Sequence, residues 1–123
     1  MARSLQFCGV LLATLLWLPH GQAEPVVQSG LPTIAVANLP AEARDTLRAI
    51  KQGGPFAYPR DGVVFNNFER VLPERQRGYY HEYTVMTPGA NNRGVRRIIS
   101  SETNEYYYTA DHYQTFKRIR ESP

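Results

Sequence analysis

Hydrophobic positions recur at helical spacing in one stretch of the chain, residues 40–52. Ala43, Leu47 and Ile50 follow an i, i+4, i+7 pattern, which places them on one side of a helix. Pro40 suits the first turn of a helix, and the Gly-Gly-Pro run at 53–55 is a stop signal. The pattern therefore predicts an amphipathic helix over residues 40–52.

After this helix the pattern changes to that of strands and turns. Residues 78–87 combine tyrosines with β-branched residues, and Pro88-Gly89 then turns the chain. Further strands are predicted at 63–65, 95–100, 106–109 and 115–119. Residues 24–36 are mixed in character and predict an irregular arm. One helix followed by antiparallel strands predicts an α+β fold, in which the N-terminal helix packs on one face of an antiparallel β-sheet. The other face would be free to meet a ligand.

The first 23 residues have the features of a secretory signal peptide. Arg3 supplies a positive charge, residues 10–18 form an apolar core, and Gly21-Gln22-Ala23 offers a cleavage site with small residues. The apolar run falls short of the roughly 20 residues that a membrane-spanning helix needs. We therefore expect a protein that is exported rather than held in a membrane, with a mature domain at residues 24–123.

Composition agrees with one small globular domain. The chain has 123 residues, of which 42% are hydrophobic and 20% charged, and its net charge is +3. This mild positive charge permits a polyanionic partner without requiring one. The single cysteine, Cys8, lies in the predicted signal peptide. Zinc-finger and thiol-redox functions are therefore excluded for the mature domain.

Alternation along the predicted strands places two opposite charges on one surface. Glu82 shares a face with Tyr80 and Thr84, while His81 points the other way and is interpreted as structural. A hairpin around Pro88-Gly89 would bring Arg97 beside Glu82. Two interpretations stay open at this point, a cross-strand ion pair or part of a functional site.

Two other segments carry candidate chemistry. Arg93, Arg96 and Arg97 lie within five residues, and guanidinium groups suit phosphate oxygens, although a solvated basic hairpin has the same pattern. His112 follows Asp111 in a predicted turn between strands. It could donate a proton or be an ordinary surface histidine.

The segment after the 63–65 strand has features of a base-binding loop. Its residues are Phe65, Asn66, Asn67, Phe68 and Glu69. Paired asparagines favour positive φ angles, which expose backbone N–H groups. The Glu69 carboxylate could accept hydrogen bonds from guanine N1–H and its amino group, and Phe65 or Tyr113 could stack on the base. An ordinary polar loop is the alternative.

Taken together, four runs resemble the bacterial guanyl-specific ribonucleases, the barnase family, and within it the ribonuclease Sa type. The runs are residues 61–65, 78–85, 93–99 and 111–113, and the resemblance extends from Leu39 to Ile119. It implies the α+β microbial ribonuclease fold. It also implies a monomeric endoribonuclease that cuts single-stranded RNA 3′ of guanosine through a 2′,3′-cyclic phosphate, without a metal or cofactor.

The resemblance also implies roles for individual residues. Glu82 would be the general base and His112 the general acid, with Arg97 and Arg93 clamping the phosphate. The guanine loop would comprise Asn66, Asn67, Phe68 and Glu69, bordered by Phe65 and Tyr113. Phe68 stands where the family commonly has arginine, so the loop has one positive charge fewer. A protein inhibitor of the barstar type is a further implied partner.

Two other functions are compatible with this pattern. A secreted RNA- or nucleotide-binding module without catalysis would keep Arg93, Arg97 and Glu69, but it would not need both Glu82 and His112. A toxin domain delivered into competing cells is the other alternative, and the signal peptide argues against it. Because both members of the acid–base pair are present, the sequence favours an enzyme.

Overall fold

The computed structural model describes residues 30–122, so the predicted signal peptide lies outside the described part of the chain. The elements are β1 (Thr33–Ala35), a 3-10 turn (Val36–Asn38), α1 (Ala41–Gln52), β2 (Tyr80–Thr84), β3 (Arg97–Ser101), β4 (Tyr106–Thr109) and β5 (Lys117–Arg120). Among these residues, no helix has the length and apolar character needed to cross a membrane.

The predicted helix is confirmed, and its ends follow from local chemistry. Pro40 is the N-cap rather than a first-turn residue, and Glu42 places a negative charge in the first turn, where the helix dipole favours it. At the other end Gly53 adopts a left-handed conformation with φ of 84°. This conformation lets its N–H reach the carbonyl of Ile50, at 3.2 Å, and closes the helix.

The strands form a five-stranded sheet in the order β1-β5-β4-β3-β2. Strands β2 to β5 pair antiparallel, as predicted. The expectation of an irregular arm over 24–36 was wrong for residues 33–35, because β1 pairs parallel with β5 through the register Ile34↔Ile119. The sheet is therefore mixed. Three residues are too few to show a period in sequence, and their pairing depends on a strand more than 80 residues away.

The strand predicted at 63–65 does not form. Only one isolated bridge forms there, between Val64 and His81. The segment still lies along β2, since the Phe65 N–H donates to the Tyr80 carbonyl at 2.9 Å. It leaves the sheet at once because the chain turns into the 65–69 loop.

Two hydrophobic clusters lie on opposite faces of the sheet. The first lies under α1 and contains Leu39, Ala43, Leu47, Val85, Ile98, Tyr106, Tyr108 and Ile119. The second, on the other face, contains Leu72, Tyr80, Ile99, Tyr107 and Phe116. The face expected to be free is therefore partly covered. The rest of that face is a polar strip carrying Glu82, Thr84 and Arg97, and these side chains are themselves almost wholly buried.

Candidate active site

Glu82 and Arg97 lie on the same face of adjacent strands, as the alternation predicted. In the β2–β3 register Glu82 pairs with Ile99 and Arg97 with Thr84. The two residues are only 7% and 3% exposed, and Arg97 Nε lies 4.0 Å from Glu82 Oε1. A buried pair of charges is costly unless further hydrogen bonds satisfy it, so the pair differs from an exposed cross-strand ion pair.

Those further hydrogen bonds hold the Glu82 carboxylate in place. The Tyr113 hydroxyl donates to Glu82 Oε1 at 2.9 Å, and Arg93 Nη2 donates to the same atom at 3.5 Å. Arg93 is itself held by Thr84, whose Oγ1 accepts from Arg93 Nε at 3.1 Å. The carboxylate thus has donors from two different loops.

The Arg97 guanidinium is held in place by hydrogen bonds, as the Glu82 carboxylate is. Its Nη1 donates to the carbonyls of Gly94, at 3.0 Å, and Arg96, at 2.8 Å, and its Nε donates to the Tyr113 hydroxyl at 3.1 Å. Arg96 belongs to the opposite face, where it bonds Glu42 at 3.2 Å. Of the three clustered arginines, only Arg93 and Arg97 therefore reach Glu82.

His112 is presented by a strained turn. Both His112 and Tyr113 have positive φ, 60° and 77°, an uncommon conformation for non-glycine residues. The His112 N–H donates to the Val95 carbonyl, and the Tyr113 N–H to Thr109 Oγ1, at 3.0 and 3.1 Å. The turn leaves the imidazole exposed.

Asp111 stabilises this turn rather than pairing with the imidazole. Its Oδ1 accepts from the Thr109 hydroxyl, at 2.8 Å, and from the Thr115 N–H, at 2.9 Å. Its Oδ2 accepts from the Thr115 hydroxyl at 2.6 Å. The hydrogen bonds from Thr115 lower the pKa of Asp111 to about 2. The same bonds to Thr115 explain why β5 begins at Lys117, two residues later than predicted.

Glu82 and His112 line one cleft of about 410 Å³. Six of the residues predicted as substrate-binding line the cleft as well: Phe65, Asn66, Asn67, Phe68, Glu69 and Tyr113. The remaining lining residues were not predicted from the sequence: Arg60, Val64, Val71 and Phe116. Nothing in the sequence marks Arg60 as a site residue except its position in the predicted turn at 59–62.

The 65–69 loop presents its residues in two ways. Asn67 is buried with φ of 57°, and its side chain bonds the backbone of Leu72, so it holds the loop in shape. Asn66 is exposed, and its Oδ1 accepts from Arg77 Nε at 3.2 Å. The positive φ expected of the asparagine pair is therefore found at Asn67 alone. Phe68, 86% exposed, and Glu69 project from the loop.

Stacked aromatic rings form one wall of the cleft. Phe65 and Tyr113 stack with centroids 5.1 Å apart at 25°, and Phe116 meets Phe65 edge-on at 6.1 Å. Burial raises the pKa of the Tyr113 hydroxyl, as does its hydrogen bond to Glu82, so the hydroxyl keeps its proton and remains a donor. The cleft thus joins a flat apolar surface to a charged end.

The chemistry available at the charged end is acid–base chemistry beside an anion. A carboxylate can remove a proton, an imidazolium can supply one, and two guanidiniums can bind phosphate oxygens. Within residues 30–122, no three His, Cys, Asp or Glu side chains are grouped as ligands for a metal. The fold and the cleft together indicate the class of this protein. It is a nuclease in which one helix packs on a sheet.

Sequence comparison assigns the chain to that class. A family model described as ribonuclease matches residues 22–120, and this chain belongs to the ribonuclease family. Guanyl-specific ribonuclease Sa of Kitasatospora aureofaciens is 60% identical over 88 residues, which are 71% of this chain and 92% of the relative. Guanyl-specific ribonuclease St of Saccharopolyspora erythraea is 51% identical over 89 residues, 72% of this chain and 88% of the relative.

Solved structures agree on the fold. A crystal structure of ribonuclease Sa2 with guanosine-2'-cyclophosphate matches with a TM-score of 0.74 at 46% identity, covering 76% of this chain and 100% of that one. A second, of ribonuclease Sa2 complexes with mononucleotides, has a TM-score of 0.73 at 47% identity, over 76% of this chain and 97% of that one. The expected microbial ribonuclease fold is confirmed.

The hydrogen bonds of Asp111 predict how stability depends on pH. A carboxyl pKa lowered on folding, here to about 2 from 3.8, stabilises the native state above the unfolded-state pKa. That stability is lost as the pH falls from about 4 towards 2. We expect Asp111→Asn to unfold more easily than the parent at pH 6, with the difference shrinking by pH 2, as measured by urea denaturation. Thr115→Val keeps the carboxylate but loses one donor, and its effect should be smaller. A difference that is the same at both pH values would contradict this role.

Proposed function

We propose that the protein is a secreted endoribonuclease that cleaves single-stranded RNA on the 3′ side of guanosine. The observation that carries this proposal is that Glu82 and His112 line one cleft with the stacked rings of Phe65 and Tyr113. Arg97 lies behind Glu82, with its Nε 4.0 Å from Glu82 Oε1. Membership of the ribonuclease family supports the reaction, and relatives named guanyl-specific ribonucleases support the base preference.

The first step is a transphosphorylation. Glu82 removes the proton of the ribose 2′-OH, and the 2′-oxygen attacks the adjacent phosphorus. The bond from phosphorus to the 5′-oxygen of the next nucleoside breaks, and His112 gives its proton to that oxygen. The products are a 2′,3′-cyclic phosphate and a free 5′-OH. DNA has no 2′-OH and is not a substrate for this step.

The second step reverses the two roles. His112, now neutral, takes a proton from water, and the resulting hydroxide attacks phosphorus. The bond to the 2′-oxygen breaks, and protonated Glu82 returns its proton to that oxygen. The product is a 3′-phosphate, and both side chains are restored.

The arginines stabilise the charge that develops on the phosphoryl oxygens. Arg97 is 3% exposed and is held by two backbone carbonyls and a hydroxyl, so it does not reorient during the reaction. Charges fixed in advance in a water-poor site lower the barrier more than mobile charges in solvent. Arg93, half-buried beside Glu82, supplies a second positive charge.

The 65–69 loop accounts for the base preference. The guanine ring would lie on the stacked Phe65 and Tyr113 rings, where any base can stack. Guanine alone presents an N1–H and a neighbouring amino group to one carboxylate, and Glu69 is the exposed carboxylate of the loop. Phe68 offers a second apolar surface at the rim. Stacking then gives affinity, and Glu69 gives discrimination.

The groove also suits a competing protein partner. Arg60, Arg93 and His112 leave positive or protonatable groups along the cleft, and an inhibitor of the barstar type would place acidic side chains there. Such an inhibitor would compete with RNA, so adding substrate should relieve the inhibition. We propose that the enzyme acts as a monomer, because Glu82, His112 and the 65–69 loop already form one cleft within a single chain.

The acid–base roles predict large losses of activity. We expect Glu82→Gln and His112→Gln each to lower kcat/KM by about 10²–10⁴-fold, because each removes one proton transfer. The measurement is cleavage of a guanosine-containing oligonucleotide in EDTA. Glu102→Gln and His81→Gln alter the same residue types outside the cleft and should keep activity close to that of the parent. Near-parental cleavage by either cleft variant would reject its role. An inactive parent that still binds RNA would support the binding-module alternative.

The role of Glu69 predicts a loss of specificity. We expect Glu69→Gln to lower the preference for guanosine over adenosine by about 10- to 100-fold, since a paired hydrogen bond to a base contributes about 1–3 kcal/mol of discrimination. The measurement is the ratio of kcat/KM for GpC and ApC. Phe68→Ala should weaken both substrates without changing the ratio, because stacking is tolerant of the base. An unchanged ratio in Glu69→Gln would place guanine recognition elsewhere.

The proposed export predicts a defined processing product. When the full chain is expressed in a bacterial host, we expect protein outside the cytoplasm to begin at Glu24, with residues 1–23 removed. Intact mass spectrometry of the exported protein measures this directly. Accumulation of the full 123-residue chain inside the cell would contradict the assignment.

A further inference from the structure

A second basic surface lies behind the 65–69 loop. A depression of about 360 Å³ has residues 65–68 as one wall, and Arg75, Gln76, Arg77 and Tyr80 line the rest. The active-site cleft uses the other side of the same loop residues. We propose that Arg75 and Arg77 form a phosphate-binding subsite for the nucleotides that precede the cleaved guanosine. This inference rests on the proposed ribonuclease function.

Within residues 30–122, one side-chain hydrogen bond holds Arg77 against the loop. Its Nε donates to Asn66 Oδ1 at 3.2 Å, while the residue as a whole is exposed. The bond uses one of five guanidinium donors. The terminal nitrogens therefore remain available to a ligand at the edge of the depression.

Arg75 is positioned by an aromatic ring. Its guanidinium carbon lies 5.4 Å from the centroid of Tyr79, and its Nη1 donates to the Glu74 carbonyl at 2.8 Å. Tyr79 is anchored in turn, since its hydroxyl lies 3.0 Å from Thr103 Oγ1. An arginine already ordered in this way loses less conformational entropy when it binds a phosphate.

Neither arginine is neutralised by a carboxylate in the part of the chain that the structure describes. The adjacent Glu74 pairs with Arg70 instead, at 2.8 Å, and no ion pair among residues 30–122 includes Arg75 or Arg77. Both guanidiniums line one depression and are free of ion pairs with the described residues, so both can contact the phosphates of a bound nucleic acid. Phosphate contacts of this kind contribute affinity that falls with salt.

The reaction geometry assigns the subsite to the 5′ side of the substrate. His112 protonates the leaving 5′-oxygen, so the nucleotide after the cleaved bond must lie next to His112. The surface there is lined by Asn92, Arg93, Gly94 and Val95. The guanine base occupies the 65–69 loop, and the depression lies beyond that loop. The strand that precedes the guanosine is therefore the part that can reach Arg75 and Arg77.

The test compares substrates extended on either side of one guanosine. The substrates are GpC, UpUpGpC and GpCpUpU, cleaved by the parent and by the double variant Arg75→Gln/Arg77→Gln. The control is Arg48→Gln/Lys51→Gln, which removes the same charge from exposed positions on α1, across the sheet. The measured quantity is the ratio of kcat/KM for an extended substrate to that for GpC. Because GpC carries the same guanosine, any effect on guanine binding cancels in this ratio.

We expect the parent to cleave UpUpGpC about tenfold better than GpC at low salt, and the Arg75/Arg77 double variant to lose most of that gain. The slope of log kcat/KM against log salt should become shallower by about 0.7 for each phosphate contact removed. The gain from GpCpUpU should be unchanged. The Arg48/Lys51 control should behave as the parent does.

Three outcomes would overturn the proposal: the double variant keeps the UpUpGpC gain, the loss falls on GpCpUpU instead, or the control loses the gain equally. In each of them GpC is still cleaved, so the proposed function survives. If the parent does not cleave GpC, the proposed function fails, and this inference fails with it.

Discussion

Burial of two opposite charges in one sheet face is the constraint on which the rest of this structure depends. Glu82 and Arg97 are 7% and 3% exposed, and ions so far from water need partners in every direction. Those partners come from Tyr113, Arg93 and two backbone carbonyls of the 94–96 segment. The β2–β3 register and the turn after β4 are therefore tied to one hydrogen-bond network. Satisfying that network fixes Glu82, Arg97 and Tyr113 relative to one another.

The two hydrophobic clusters have different roles, one in stabilising the sheet and the other in anchoring the loops. The cluster under α1 stabilises the sheet from behind and contributes nothing to the cleft. The cluster on the other face anchors the loops, since Phe116 packs against Phe65 in the aromatic wall and the Leu72 carbonyl accepts from Asn67 of the 65–69 loop. Phe68 and Glu69 can then be exposed without loosening the loop. Rigid support with exposed contact residues is what recognition of a single base requires.

The arginines of the protein lie in two different environments. Arg97 is almost wholly buried, so its charge is weakly screened by water. Arg75 and Arg77 lie in solvent, where salt screens them within about 10 Å at 0.1 M. Such charges suit capture of a flexible polyanion rather than chemistry. The same residue type thus carries a weakly screened charge in one place and a salt-screened charge in the other, which suits the catalytic and substrate-binding roles proposed above.

Local patterns in the sequence were enough to predict α1, four of the five strands and the common face of Glu82 and Arg97. Helical and strand periods are set by neighbouring residues, so they can be read without knowledge of the fold. Strand β1 was missed because its partner lies more than 80 residues away and only three residues pair. For the same reason the inward turn of Asn67, the place of Arg60 in the cleft and the depression behind the loop were not predictable. The order of residues determined which groups could take part, and only packing between distant segments decided which of them meet.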